Sequence, residues 1–396
     1  MTGSGAHVRN KVSIQIPLRR MKPRLIARPR ALLAPALYGG ILTVQLVVST
    51  AHAQSSTTLY GVVDTGIEYV NNIGAEGKSV WRMPTLTGSL PSRWGIRGLE
   101  DIGGGNKVIF TLESGFAPAN GIANQGGRLF GRQALVGVAT DWGTLSIGRQ
   151  YTMSYFAMTG ADVMGPNAYT VGIFAPYLSN ARADNSIVYR VGYAGFDFGA
   201  TYSLGRDNVA APAGANCPDG QLGDSHACRG YSVMLRYEDK SFGAGASYER
   251  IYGAQGAAGG LTSSSLQESF LTLSSYGQIG SATVGGGFVR HLNDGRKTGS
   301  HSDLTFLGIS YPVMGALTLA VQFGRLTYKD TEDTSEVVVA KLAYALSRRS
   351  SIYLTGGHVW NHGNAAVSVS GSMPSGAQPA PGQGQSGFLA GVKHTF

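Results

Sequence analysis

The chain is poor in cysteine, in charge and in long apolar runs. Two cysteines in 396 residues are too few for the disulfide framework that staples small secreted domains. Charged residues make up 14%, well below the usual quarter. Hydrophobic residues nevertheless reach 43%, which argues against a disordered chain. A helical membrane protein would carry several apolar stretches of about 20 residues, and none occurs beyond residue 53. Glycine is abundant, at 58 residues, and 19 tyrosines and 14 phenylalanines accompany only 4 tryptophans. Apolar residues spread evenly through such a chain suit strands whose side chains alternate between lipid and water.

Acidic residues are absent from Met1 to Ala53, which holds eight basic ones: Arg9, Lys11, Arg19, Arg20, Lys22, Arg24, Arg28 and Arg30. Eight of the nine formal net positive charges therefore sit in this segment. Of 32 basic residues, 24 remain after it, against 23 acidic ones. The basic excess is thus no footprint for nucleic acid. Basic residues end at Arg30, an apolar run follows from Ala31 to Val48, and Ala51-His52-Ala53 precedes Gln54. This is the pattern of a secretory leader with a small-residue cleavage site. It predicts a leader over 1–53 and one domain over 54–396, with translation from Met21 giving a leader of more usual length.

Cys217 and Cys228 lie in a Gly-, Pro- and Asp-rich stretch. Two cysteines in one loop of an exported chain favour a local disulfide. A metal site with His226 is the rival reading, although zinc usually takes closer pairs and a fourth ligand. Sixteen strands are predicted, near 58–70, 92–100, 106–115, 130–139, 143–150, 185–194, 196–204, 230–238, 241–251, 266–277, 280–290, 302–311, 315–326, 335–346, 349–360 and 385–396. Most have the roughly ten residues that a tilted strand needs to cross a bilayer. Val338, Ala340, Leu342, Tyr344 and Leu346 share one face of such a strand, with Lys341 on the other. Period two with a polar second face is a strand signal. Short turns alternate with long loops, near 71–91, 116–129, 151–184, 205–229, 252–265, 291–301, 327–334 and 361–384. That sorting fits an antiparallel barrel with both ends on one side of a membrane. In the last strand Phe388, Ala390, Val392, His394 and the terminal Phe396 share a face.

The stretches Thr58-Leu59-Tyr60-Gly61-Val62-Val63-Asp64, Ser92-Arg93-Trp94-Gly95-Ile96-Arg97-Gly98-Leu99-Glu100-Asp101 and Gly143-Thr144-Leu145-Ser146-Ile147-Gly148-Arg149-Gln150, with the closing Gly-Val-Lys-His-Thr-Phe, resemble the trimeric general porins of β-proteobacteria. The resemblance covers essentially all of 54–396. It implies an all-β fold, a 16-stranded antiparallel transmembrane β-barrel with the third loop folded into the pore. It further implies a homotrimer in the bacterial outer membrane, contact with lipopolysaccharide, assembly through the terminal Phe396, and passive transport of small hydrophilic solutes and ions. No cofactor is implied. The loop 151–184 is the longest and carries Tyr151, Met153, Tyr155, Phe156, Met158, Val163, Met164, Ile173, Phe174 and Tyr177. A loop tucked inside would cover such side chains, and long loops in compact domains are usually functional.

A pore selects by width and by wall charge. Arg93 and Arg97 share a face opposite Trp94 and Ile96 and should face the lumen. By resemblance, Arg93, Arg132 and Arg182 form the basic side of the constriction. Glu113 and Asp162 form the acidic side across the gap, although the loop lacks the Pro-Glu-Phe-Gly sequence of many relatives. A basic excess there favours anions weakly. Arg97 and Arg190 are expected in the lumen outside the narrowest ring. Two rival readings remain: a substrate-specific channel lined by Tyr151, Tyr155 and Tyr169, and an enzyme or adhesin anchored by its barrel. Gly103-Gly104-Gly105-Asn106-Lys107 lacks the spacing of a phosphate loop and reads as a turn. His358 and His362 flank a strand end, where their spacing does not bring them together on one metal. Loop 361–384, rich in Gly, Ser, Pro and Gln, reads as a flexible surface segment.

Overall fold

The computed structural model describes residues 55–177, 181–206, 217, 221–374 and 376–396; the expected leader lies outside them. Seventeen strands form one antiparallel sheet. β1 (Ser56–Ile73) precedes the short β2 (Lys78–Arg82), β3 (Arg93–Gly103), β4 (Asn106–Gly115), β5 (Gln133–Thr140) and β6 (Gly143–Tyr151). Next come β7 (Arg182–Tyr193), β8 (Phe196–Ser203), β9 (Gly230–Glu238), β10 (Phe242–Tyr252), β11 (Gln267–Ile279) and β12 (Ala282–Asn293). β13 (His301–Met314), β14 (Leu317–Tyr328), β15 (Thr334–Ala345), β16 (Ser350–His362) and β17 (Gln385–Thr395) complete the wall.

The sheet closes through β1. One edge of β1 pairs with β3, from Ser56 opposite Leu99 to Val62 opposite Arg93. The other pairs with β17, from Val62 opposite Thr395 to Val70 opposite Gly387. β2 only extends the loop end of β1, with Glu68 opposite Arg82. The barrel wall therefore has sixteen strands, as expected, and β2 falls inside the connection read as loop 71–91. Closure leaves no unpaired edge, which a lipid-embedded sheet requires. The turn between β7 and β8 is Ala194-Gly195, both at positive φ (51° and 90°), the mirror-type turn that matches strand twist.

Outward faces behave as their periodicity predicts: Val338, Leu342, Tyr344, Phe388, Val392 and Phe396 are exposed. Inward faces do not. Val337 and Val339 of β15 and Leu389 of β17 point inward and are fully buried. What covers them is the loop between β6 and β7, which enters the barrel. Its Met158, Met164, Tyr169, Val171, Phe174 and Tyr177 form one buried cluster with Phe270, Leu304, Phe306, Val337 and Val339 of the wall. Each such burial is worth roughly 1.5–3 kcal/mol. The apolar core thus lies inside the barrel, between the third loop and β10–β17.

The seat for that loop is cut by wall glycines. A Cβ on Gly245 would lie 2.8 Å from the Ala157 carbonyl oxygen, and one on Gly285 2.4 Å from that of Ala161. Gly199, Gly308 and Gly324 meet Met153, Val163 and Val171 in the same way. These glycines let the loop backbone approach the sheet. Polar contacts fix the path: Ser274 Oγ donates to the Ala157 carbonyl (2.6 Å), and Ser154 Oγ donates to Glu249 (2.6 Å).

Loop 361–384 is not a free surface segment. Val369 and Ser370 are buried, and Val367 and Met373 pack against the interior cluster. Gly371 N–H donates to the Ala168 carbonyl (2.9 Å), and Ala168 N–H donates to Thr87 (2.8 Å). Composition suggested flexibility, but a few apolar residues and backbone pairing to the third loop override it.

Candidate channel constriction

Odd residues of β3 and β4 point inward, which places Arg93 and Glu113 on the lumen wall. Arg132 stands just before β5 and Arg182 opens β7. Four of the five expected constriction residues converge here. Glu113, fully buried, accepts from Arg132 Nε at 2.7 Å and from the Tyr60 hydroxyl at 3.1 Å. Arg93 Nε lies 3.6 Å from its other oxygen. Tyr151 OH accepts from Arg132 Nη2 (2.7 Å) and from Arg182 Nη2 (3.1 Å). The Arg182 guanidinium lies over the Tyr151 ring, 4.6 Å from its centroid. Tyr155 stacks on Tyr151 with centroids 3.9 Å apart. Burial pushes the Tyr155 phenol above its ordinary pKa. The expectation that Glu113 faces the arginines across the gap is not met: it sits between Arg93 and Arg132 on the same wall.

Asp162 is on the other side, against β14. Its carboxylate accepts from Met164 N–H (2.9 Å), Gly165 N–H (3.1 Å), Thr170 Oγ1 (3.1 Å), Gln322 Nε2 (2.8 Å) and the Tyr177 hydroxyl. Burial, then the Asp162 charge, raises the Tyr177 phenol well above its ordinary pKa. Five donors make Asp162 the fastening of the third loop to the wall.

A second basic group escaped the sequence reading. Asp184 accepts from Arg128 Nη2 (2.9 Å) and from Arg149 Nη1 (2.5 Å). By strict alternation Arg149 belongs with Leu145 and Ile147 on the lipid face. A bulge between Gly148 and Gln150, with Gly148 at φ 126°, breaks that alternation and turns it away. Among the described residues, this stretch of wall thus brings Arg93, Arg128, Arg132, Arg149 and Arg182 together with Glu113 and Asp184. Arg97 is exposed on the inward face, near the Tyr60 ring, and Arg190 is paired with Asp197.

Cys217 and Cys228 form the expected disulfide, with Cα atoms 5.5 Å apart. His358 bonds Ser386 (2.7 Å) and lies against Trp360. Among the described residues no three His, Cys, Asp or Glu side chains converge as a metal site.

The profile of the Gram-negative porin family matches residues 42–364. An outer membrane porin protein of Bordetella pertussis is 30% identical over 84% of this chain and 94% of its own. The chain belongs to the Gram-negative porin family. Outer membrane porin protein 32 of Delftia acidovorans is 27% identical over 90% of this porin and 98% of its own length. In fold, an anion-selective porin from Comamonas acidovorans overlays this porin with a TM-score of 0.70 at 23% identity, covering 87% of this chain and 100% of that one. OmpT of Vibrio cholerae gives 0.61 at 14% identity, covering 86% and 98%. This porin is therefore a multi-pass outer-membrane β-barrel and a diffusion channel of that family.

Proposed function

We propose that this porin passes small hydrophilic solutes and ions with a weak preference for anions, and that the arginine wall at the constriction sets the preference. The carrying observation is the imbalance of five guanidinium groups, Arg93, Arg128, Arg132, Arg149 and Arg182, against Glu113 and Asp184. Guanidinium stays charged at any working pH, and a low-dielectric wall focuses its field into the gap. Asp162 supplies the opposite charge, although its first task is to hold the loop. The anion-selective porin from Comamonas acidovorans shares this fold, which supports the reading.

The other readings fit less well. A solute track of Tyr151, Tyr155 and Tyr169 would need exposed rings; Tyr151 and Tyr169 are buried, and Tyr155 is half-buried with its ring stacked on Tyr151. An anchored enzyme would need an open nucleophile. Ser302, His291 and Glu268 do form a chain, with His291 Nδ1 3.4 Å from Ser302 Oγ and Nε2 2.7 Å from Glu268. All three are buried, so the hydroxyl is closed to substrate.

Assembly as a homotrimer fits the solved trimer of OmpT from Vibrio cholerae, which shares the fold. Lipopolysaccharide phosphates suit the outward Arg290 and Arg325 at the loop end, beside Asp303 and Glu336. The exposed Phe396 suits capture by the barrel-assembly machinery. Residues 1–53 would be the export leader.

Reversal potentials in planar bilayers test the arginine wall. In Arg93→Ala/Arg132→Ala, Glu113→Gln is added so that no buried carboxylate is stranded. The net loss of one positive charge should lower the chloride-to-potassium permeability ratio roughly 25-fold, a factor of about five for each ion in opposite directions, from about 1 kcal/mol for unit charges 4 Å apart in water. An unchanged ratio removes the arginines from the account.

A further inference from the structure

Asp184 gathers the second basic group, with Arg149 on Oδ1 and Arg128 on Oδ2. Its own place is set from the loop side. Asp184 N–H donates to the Arg206 carbonyl (2.8 Å), Ser203 Oγ donates to the Asp184 carbonyl (2.7 Å), and Leu204 N–H donates to the Asn185 carbonyl (3.0 Å). Arg206 N–H in turn donates to the Cys228 carbonyl (3.2 Å), and Cys228 N–H donates to the Gly253 carbonyl (3.1 Å). These bonds continue the ladder past the ends of β8, β9 and β10, from Asp184 through Arg206 and Cys228 to Gly253.

Cys228 is the strained rung. Its φ is 58°, in the left-handed region that a residue with a Cβ avoids and glycine enters freely. Asn185, at φ 47°, is of a type that tolerates the region, whereas cysteine is not. Two features hold Cys228 there. The bond to Cys217 ties down its side chain. A small core of Cys217, Ala227, Cys228, Ala254, Ala257 and Leu261, all buried, seats it on loop 252–265, apart from the apolar cluster inside the barrel.

We propose that the Cys217–Cys228 disulfide is a positioning element of the constriction. It keeps Cys228 left-handed, which places Arg206 and, through it, the carboxylate that gathers Arg128 and Arg149. This inference rests on the arginine-wall reading and adds to it a determinant that touches no ion. Were Cys228 to relax to negative φ, its N–H and carbonyl would turn out of line with Gly253 and Arg206. Asp184 would lose its backbone anchor, and two guanidinium groups would leave a fixed place on a low-dielectric wall, where their field is focused.

The test uses the full-length protein in two double variants, Cys217→Ala/Cys228→Ala and Cys217→Ala/Cys228→Gly. Both lack the bridge, and only the first keeps a Cβ at the left-handed position. In the first, amide hydrogen exchange in micelles should run about tenfold faster at Asp184 and Arg206, the order of the left-handed cost of a non-glycine residue. Amides of the β15–β17 ladder should be unchanged. In the second variant exchange should return close to the parent rate. The chloride-to-potassium permeability ratio should fall in the first variant and recover in the second. Parent-like exchange in the first variant, or equal acceleration in both, overturns the proposal, because the left-handed residue is then not what the bridge holds. Faster exchange with a parent-like ratio removes the disulfide from selectivity if Arg93→Ala/Arg132→Ala/Glu113→Gln does shift that ratio. If that triple variant also leaves the ratio unchanged, the arginine-wall reading falls instead, and the coupling read by exchange stands.

Discussion

At Asp162 one carboxylate gathers five donors from its own loop and from β14. Removing the acceptor strands buried donors, at roughly 1–3 kcal/mol for each group left unsatisfied. Asp162→Ala should therefore loosen the third loop without unfolding the barrel, whose ladders do not use it. The expected outcome is higher open-channel noise at an unchanged heat-denaturation midpoint, read by single-channel recording and circular dichroism. A quiet channel would show that the apolar contacts alone hold the loop. The residue type and its loop were legible in the sequence. Its partners were not, because Gln322 is 160 residues away and no local pattern links the two. Arg149 was missed for a different reason: strict alternation would put it on the lipid face, and one bulge breaks the period.

The elements divide in the same way. Strands were readable because each needs only period two and a turn at either end. The third loop was readable as an internal segment because an exposed loop would leave so many apolar side chains in water. Its seat was hidden, since Gly199, Gly245, Gly285, Gly308 and Gly324 look like any other strand glycines until the loop lies against them. Gly285→Val should push the loop at Ala161 off the wall. Chymotrypsin should then cut between Met153 and Tyr177 in the variant and spare the native protein, with peptide mapping as the readout. Protection of the variant would mean the wall yields instead. Loop 361–384 adds a second lesson: a Gly- and Ser-rich composition did not prevent Val369 from being buried, because backbone bonds to Ala168 hold the segment in place.

For the whole molecule, closure and export leave their own signatures. Phe396 N–H donates to Gly61 O and Gly61 N–H donates to Phe396 O, both at 3.1 Å, so the first and last wall strands meet in one ladder. Protein isolated from outer membranes should have Gln54 as its first residue and should leave both cysteines unlabelled by maleimide until a reductant is added. Intact mass spectrometry checks both; residues before Gln54 would contradict the leader, and labelling without reductant would contradict the disulfide.

By itself the sequence determined the number, length and lipid face of the wall strands, the short and long sides of the barrel, and which loop turns inward. These are properties of neighbours along the chain and of the solvent each face meets. Only the tertiary structure decided how the interior charges are shared. It put Glu113 between Arg93 and Arg132, engaged Asp162 with the loop, and brought Arg149 to Asp184. Charge pairing in a closed barrel depends on which distant strands come within a few ångströms across the lumen, and that distance is set by closure and by the loop inside.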